Sequence, residues 1–227
     1  MKLKSPVVDY RELRLHDLNS ERFCHLKLLL YWPVFGLLFL FVERFYPVEQ
    51  YHTVYCSLDD KIPFCEFFLI PYLFWFVFLV GIHLYTLLYD IEAFRGLMKY
   101  IMLTYTAVIV IYLIFPTCQQ LRPASFARNN LFTRFLTGFY AFDTNTNVCP
   151  SLHVIGSLAV MHTAWNCKGL QSRGWKIAFG VTALLICLST MFLKQHSVID
   201  VVAALPFCFA ADWICFRRNQ KKEAQPA

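Results

Sequence analysis

Charge is scarce in this chain. Only 16% of its 227 residues are Asp, Glu, Lys or Arg, while 58% are hydrophobic and 18% aromatic. A soluble domain carries about 25% charged residues. Together with a mean hydropathy of +0.47, the shortage points to an integral membrane protein. Other absences narrow the choice. There is no Gly-rich phosphate loop, so a backbone cradle of that kind is not on offer. The nine cysteines include no Cys-x-x-Cys, which argues against a zinc site. There is no internal repeat, no low-complexity tract and no Asn-x-Ser/Thr acceptor. Residues 1–21 hold Lys2, Lys4, Asp9, Arg11, Glu12, Arg14, Asp17 and Glu21. That is too polar for the core of a cleaved signal peptide, so the first span is expected to be retained.

What is present is a series of apolar runs. A spanning helix needs about 20 mostly apolar residues. Six runs bounded by charges qualify as candidates: 27–42, 67–89, 97–115, 150–165, 175–193 and 198–216. The fourth is the weakest, diluted by Ser151, His153, Ser157, His162 and Thr163. The expected fold is all-α: an integral membrane six-helix bundle forming a single domain over 1–227. Its N-terminal segment (1–26) and tail (217–227) are expected to be cytoplasmic, flanking the bundle at 27–216, with 219–227 disordered.

Basic residues set the orientation. Lys2, Lys4, Arg11, Arg14, Arg22 and Lys27 precede the first span. Arg95 and Lys99 lie between spans two and three or just inside three. Lys168, Arg173 and Lys176 lie between four and five, and Arg217, Arg218, Lys221 and Lys222 follow six. All fall on one side of a six-span bundle, and that side should be cytoplasmic. Both termini are then inside, compatible with a bacterial plasma membrane. The first external loop is acidic, with Glu43, Glu49, Asp59, Asp60 and Glu66 against Arg44 and Lys61.

The long external connection 117–149 contains an amphipathic stretch, 126–142. Leu131, Phe132, Phe135, Leu136 and Phe139 form its stripe, flanked by Arg128 and Arg134. It reads as an external interfacial helix between spans three and four, or as a helix packed over the bundle mouth. Cys56, Cys65, Cys118 and Cys149 are expected to be external, where disulfides persist in an oxidising compartment. Small apolar filling serves equally for most of the nine.

Ionisable groups inside membrane segments are functional candidates by default. His196 and Asp200 are four residues apart and share a helix face. The carboxylate can fix the tautomer of the imidazole and leave the other nitrogen reactive, and His itself can be a covalent nucleophile. A buried His–Asp pair can also simply join two helices. His153 lies within a turn of a helix start marked by Pro150, where Pro suits the first helical position. There the N–H groups of Ser151, Leu152 and His153 would form an anion site, and His153 could serve as general acid. Arg122, before Pro123, could offer a planar fork to phosphate, or could be an interfacial charge. Lys194 and Ser189 are further phosphate-binding candidates, although Ser189 and Thr190 can bond their own helix instead. His83 and His162 are expected to bond neighbouring helices, and Asp212 a basic group near the inner surface. The combination describes phosphoryl transfer by positioning and charge stabilisation. His196 would attack, Asp200 orient it and His153 donate to the leaving group. No second acidic cluster is available for Mg²⁺, so no metal and no cofactor are expected.

These motifs resemble those of the type 2 phosphatidic acid phosphatase superfamily. That family carries Lys-x6-Arg-Pro, then Pro-Ser-Gly-His, then Ser-Arg-x5-His-x3-Asp. Here Arg122-Pro123, Pro150-Ser151-Leu152-His153 and Ser189-Thr190-x5-His196-x3-Asp200 follow in the same order, over roughly 115–201. The resemblance implies six spans, an outer-face site, a phosphohistidine on His196 and no metal. Phe115, Leu152 and Thr190 stand where the family has Lys, Gly and Arg. Two phosphate-binding cations are therefore missing, with Lys194, Arg128 or Arg134 as conceivable substitutes. Pro-Ser-Leu-His and the run 196–201 are more similar to the inositol phosphorylceramide/sphingomyelin synthase branch, which implies headgroup transfer between lipids.

The expected function is hydrolysis of a lipid phosphate or diphosphate at the extracytoplasmic face. Transfer of a lipid headgroup is the alternative, and a non-catalytic protein keeping the fold is a further one. A transporter would use similar intramembrane polar groups but lacks repeats and paired broken helices. The expected partners are a phosphorylated membrane lipid and the bilayer, with no nucleic acid.

Overall fold

The computed structural model describes residues 5–217. Lys2, Lys4, Arg218, Lys221, Lys222 and the expected disordered tail lie outside them. In chain order the helices are α1 (Tyr31–Arg44), α2 (Ser57–Lys61), α3 (Leu69–Tyr89), α4 (Ile91–Ile114), α5 (Leu131–Phe142), α6 (Leu152–Asn166), α7 (Arg173–Phe192) and α8 (Val198–Asp212). Two short parallel strands, β1 (His52–Thr53) and β2 (Thr117–Cys118), pair His52 with Thr117 and Thr53 with Cys118.

Five helical stretches among the described residues are long and apolar enough to cross a membrane: Cys24–Arg44, Glu66–Tyr89, Ile91–Ile114, Arg173–Phe192 and Val198–Arg217. The chain is a helical integral membrane protein. Some boundaries differ from those expected. The first stretch includes a 3-10 segment, Cys24–Leu30, ahead of α1. The third begins at Ile91 rather than near residue 97, because Asp90 caps it by accepting the Ala93 N–H at 3.1 Å. A carboxylate at that position offsets unpaired first-turn donors, and the helix therefore absorbs Glu92 and Arg95, which the expected run left out.

The weakest apolar run forms the middle of the bundle. Helix α6 packs against α3, α4, α7 and α8, and Val154, Ile155, Ala159, Val160 and Ala164 are buried. At about 1.5 Å per residue it spans about 22 Å, short of a hydrocarbon core of about 30 Å. Protein surrounds it, and some of its polar groups are bonded within the bundle, while Thr163 Oγ1 and His153 Nε2 are buried without a partner. Ser157 Oγ donates to His153 O at 2.7 Å, and Tyr100 Oη lies 3.4 Å from His162 Nδ1. Gly156 makes the close packing possible, since a Cβ there would stand 2.7 Å from Tyr105 Oη and 2.9 Å from Trp75 Nε1. Helix α4 is the other central element. Its buried Tyr100, Tyr105 and Tyr112 send their hydroxyls to the carbonyls of Cys208, Leu152 and Pro150.

Connections segregate to two ends. The turns after α3 and after α6 meet where Lys168 N–H donates to Asp90 at 2.9 Å. At the opposite end the loops join through Cys65 N–H to Phe192 O, His52 N–H to Pro116 O and Ser151 N–H to Asp200 O. Helix α5 lies at that second end. It starts at Leu131, capped reciprocally by Asn130 and Thr133. Its expected stripe is split: Leu136 is buried, Phe132 and Phe139 pack on the cluster around Leu69, Tyr72 and Leu193, and Leu131 and Phe135 are exposed. The nine cysteines are all free thiols.

Candidate active site

The turn between α7 and α8 is held from three directions. Its reversal needs Lys194 at φ 54°, a left-handed conformation that costs an L-residue about 1–2 kcal/mol. The Lys194 ammonium anchors the turn by donating to the carbonyls of Asp59 and Ile62. Gln195 and His196 N–H both donate to Thr190 O, at 2.9 and 3.1 Å. Ser197 then caps α8, and Asp200 returns a bond to the Ser197 N–H at 2.9 Å, completing a capping box. The same Asp200 Oδ2 meets His196 Nδ1 at 3.1 Å. A carboxylate only accepts, so Nδ1 carries the proton and Nε2 holds the lone pair.

The start of α6 lies across from this turn. Ser151, fully buried, is its N-cap, so Pro150 falls just outside the helix rather than at its first position. Ser151 N–H is spent on Asp200 O at 3.2 Å, linking the two catalytic candidates. Leu152 and His153 N–H remain first-turn donors that no helical carbonyl can reach. The His153 ring is clasped by Tyr72 and Trp75, each with its centroid 4.5 Å away, and lies 5.9 Å from the His196 ring. Its Nε2 is buried without a partner.

Both histidines line a cavity of about 240 Å³, together with Glu43, Asp143, Asn147, Gln195 and aromatic residues of α1, α3 and α4. Two amides point into it in an orientation that chemistry fixes. Arg122 can only donate, so it takes the Gln195 oxygen and leaves Gln195 Nε2 unpartnered. Glu43 can only accept, so it takes Asn147 Nδ2 at 2.7 Å and leaves Asn147 Oδ1 unpartnered. Gln195 and Asn147 are 3% and 5% exposed, which makes these orphaned atoms costly unless something occupies the cavity. Trp75 Nε1 is a further buried donor without a partner.

The expected cations stand elsewhere. Arg122 donates to the carbonyls of Tyr140, Asp143 and Thr144, and its guanidinium lies over the Tyr140 ring at 4.6 Å. Among the described residues no Lys or Arg lines the cavity. Lys194 is occupied at the turn, Arg128 pairs with Glu66 at 3.4 Å, and Arg134 donates to Asn129 at 2.9 Å. Phe115 stacks on His52 at 4.1 Å. Ser189 and Thr190 bond their own helix, to the carbonyls of Ile186 and Cys187. At the other end of the bundle His83 bonds Leu79 O, while Asp212 pairs with Arg217 at 2.6 Å and lies 3.9 Å from His162.

Several site residues were not singled out from sequence. Asp59, 2% exposed, accepts Ser197 Oγ at 2.6 Å and Val198 N–H at 2.8 Å, and so braces the start of α8. Glu43 binds Thr144, Thr146 and Asn147, fastening α1 to the loop before α6. Burial pushes the Asp143 carboxyl up from its ordinary value, and Arg122 and His196 oppose the shift without cancelling it. Burial, followed by the neighbouring Asp200, pushes the Cys149 thiol up to about 12, so it remains a thiol at neutral pH.

A histidine oriented by a carboxylate thus faces a second histidine across a cavity in a helical membrane bundle, an arrangement able to carry nucleophilic and acid–base chemistry. The model of the PAP2 superfamily matches residues 96–224, more than half of the chain. The chain belongs to the PAP2 superfamily, and its function is accordingly of the phosphatase or phosphotransferase type. No curated protein and no solved structure matches it.

Proposed function

We propose that the protein cleaves a phosphoric ester of a membrane lipid through a phosphohistidine. The single observation that carries this reading is His196, bonded to Asp200 at 3.1 Å and facing His153 over one cavity. His196 Nε2 attacks phosphorus, and the bond from phosphorus to the leaving oxygen breaks with its electron pair going to that oxygen. A proton from His153 neutralises it. Water then attacks the phosphohistidine, passes its proton to His153 and frees His196. Asp200 keeps the imidazole in the right tautomer and stabilises its positive charge. Gln195 Nε2, the first-turn N–H groups of α6 and Trp75 Nε1 supply donors for the phosphoryl oxygens. Attack, orientation and proton donation are all assigned to side chains, so turnover is expected to survive EDTA.

In this proposal α6 is a sixth span, shortened because it lies inside the bundle. The site faces the extracytoplasmic side, since Arg95, Lys99, Lys168, Arg173 and Lys176 gather towards the other end. Both termini are cytoplasmic. Helix α5 lies in the interface, with Leu131 and Phe135 towards lipid. Phosphate release from lipid phosphates by purified protein in detergent, with EDTA and beside His196→Ala, tests the proposal. Activity in the mutant equal to wild type would sink it.

A second reading, headgroup transfer, is favoured by the cavity's charge. A phosphomonoester carries nearly two negative charges at neutral pH. A cavity with two carboxylates and no lining Lys or Arg suits a singly charged phosphodiester better. A lipid hydroxyl would then replace water in the second step.

A further inference from the structure

The cavity has opposite chemistry at its two ends. Trp32, Phe35, Phe39 and Glu43 recur every three or four residues and share one face of α1. From Trp32 to Glu43 this face extends about 16 Å along the helix. Its deeper part is aromatic. Its outer end is the Glu43 carboxylate, with Asp143 and Asn147 beside it on the cavity wall.

Glu43 lacks a charge partner rather than hydrogen bonds. Thr144, Thr146 and Asn147 already donate to its two oxygens, but all three are neutral. Among the described residues no salt bridge reaches it. Asp143 has a cation at 3.8 Å, Arg122, and that cation is shared with backbone carbonyls. Arg44, outside the lining, also acts on Asp143, so the carboxylate left without a charge partner is Glu43, and a half-buried carboxylate without a countercharge is costly. The unpartnered Asn147 Oδ1 adds an acceptor at the same place. The donors left free, Gln195 Nε2 and Trp75 Nε1, are neutral groups beside the histidines, Gln195 preceding His196 and the Trp75 ring lying 4.5 Å from that of His153. The lining thus separates into uncharged donors suited to a singly charged phosphoryl group and an acidic acceptor rim next to it.

We propose that Glu43 determines specificity: its carboxylate, aided by Asp143 and Asn147, receives an ammonium group carried next to the phosphate. The substrates are then zwitterionic phosphodiester lipids with an amino-alcohol headgroup. A quaternary ammonium would also use the aromatic wall, since Trp and Phe faces attract cations. The hydrophobic part of the lipid lies towards Trp32 and Phe35. This proposal rests on the catalytic reading above, with Glu43 binding the headgroup and His196 and His153 acting on the phosphorus.

The test measures kcat/KM of purified protein in mixed micelles on phosphatidic acid, phosphatidylglycerol, phosphatidylethanolamine and phosphatidylcholine, with lipid products identified by mass. A charge contact of this kind should favour the two ammonium lipids over phosphatidylglycerol by about tenfold or more. Glu43→Gln, nearly the same shape without the charge, should collapse that ratio towards one. Wild-type preference for phosphatidylglycerol or phosphatidic acid would overturn the proposal while leaving His196-dependent turnover standing. So would a loss in Glu43→Gln that is equal on all four lipids, since Glu43 would then only fasten the loop. Turnover of none of the lipids would remove the catalytic reading and this one with it. Should Glu43→Gln not fold, the wild-type ratio decides alone, together with competition by phosphocholine against glycerol phosphate. Stronger inhibition by phosphocholine is the result expected, and stronger inhibition by glycerol phosphate the result that would refute it.

Discussion

Asp59 sits in the short helix α2, between the first two membrane stretches, yet it controls the turn that carries His196. Its carboxylate takes the Cys56 N–H at 2.8 Å, Ser197 Oγ at 2.6 Å and the Val198 N–H at 2.8 Å, and only 2% of the residue is exposed. Asp59→Asn keeps one acceptor and turns the other into an amide that faces donors. Each bond to a charged group is worth about 1.5–3 kcal/mol, so losing one or two costs about 2–5 kcal/mol. For a chain of this size each kcal/mol lowers Tm by about 2–4 °C, which makes the expected drop on the order of 10 °C. The catalytic effect follows from position. His196 precedes Ser197, and a misplacement of about 1 Å can cost about 100-fold in rate. The assays are thermal unfolding of the purified variant in detergent and kcat on the preferred lipid. A Tm within about 2 °C of wild type together with an unchanged kcat would refute the reasoning.

Three further predictions follow from the packing and charges. His153→Ala should lower kcat by about 100- to 10,000-fold, the usual range for a general acid, and least on lipids with the best leaving groups; an equal loss on good and poor leaving groups would count against proton donation. Gly156→Ala should lower stability by about 1–3 kcal/mol through overpacking, because its Cβ meets Tyr105 Oη at 2.7 Å and Trp75 Nε1 at 2.9 Å; an unchanged melting temperature would contradict the close approach. Asp143 has a folded-state pKa raised by burial. Its contribution to stability is therefore fully present below the unfolded value, about 3.9, and is lost as pH rises through the folded value. Melting curves of wild type and Asp143→Asn across acidic to neutral pH isolate this group by difference, since Glu66, held below its ordinary value, pulls the whole curve the other way; wild type should lose stability relative to the variant as pH rises, and a relative gain would have the wrong sign.

The reactive centre was legible because its parts are local. His196 and Asp200 are four residues apart, although His196 lies in the turn before the cap Ser197 and not on α8 itself, and Ser151 and His153 sit at a helix start marked by Pro150. Their partners come from far along the chain. Asn147 meets Glu43 across 104 positions and Ser197 meets Asp59 across 138, and no periodicity announces such contacts. Glu43 and Asp59 were visible only as acidic residues of an external loop. Arg122 shows the converse limit. Its place beside Pro123 was readable, but the four acceptors that its guanidinium meets come from the last turn of α5, the loop after it and Gln195. Helix α6 was legible as the weakest apolar run for a physical reason, since a helix enclosed by protein need not be as apolar as one facing lipid.

Trapping the intermediate tests the central claim most directly. Wild-type protein, acid-quenched or base-quenched during turnover of a lipid labelled at phosphorus, should carry label that is lost in acid, retained in base and mapped to His196. His196→Ala should carry none and should not turn over. Label retained in His196→Ala, or turnover undiminished in it, would contradict the account.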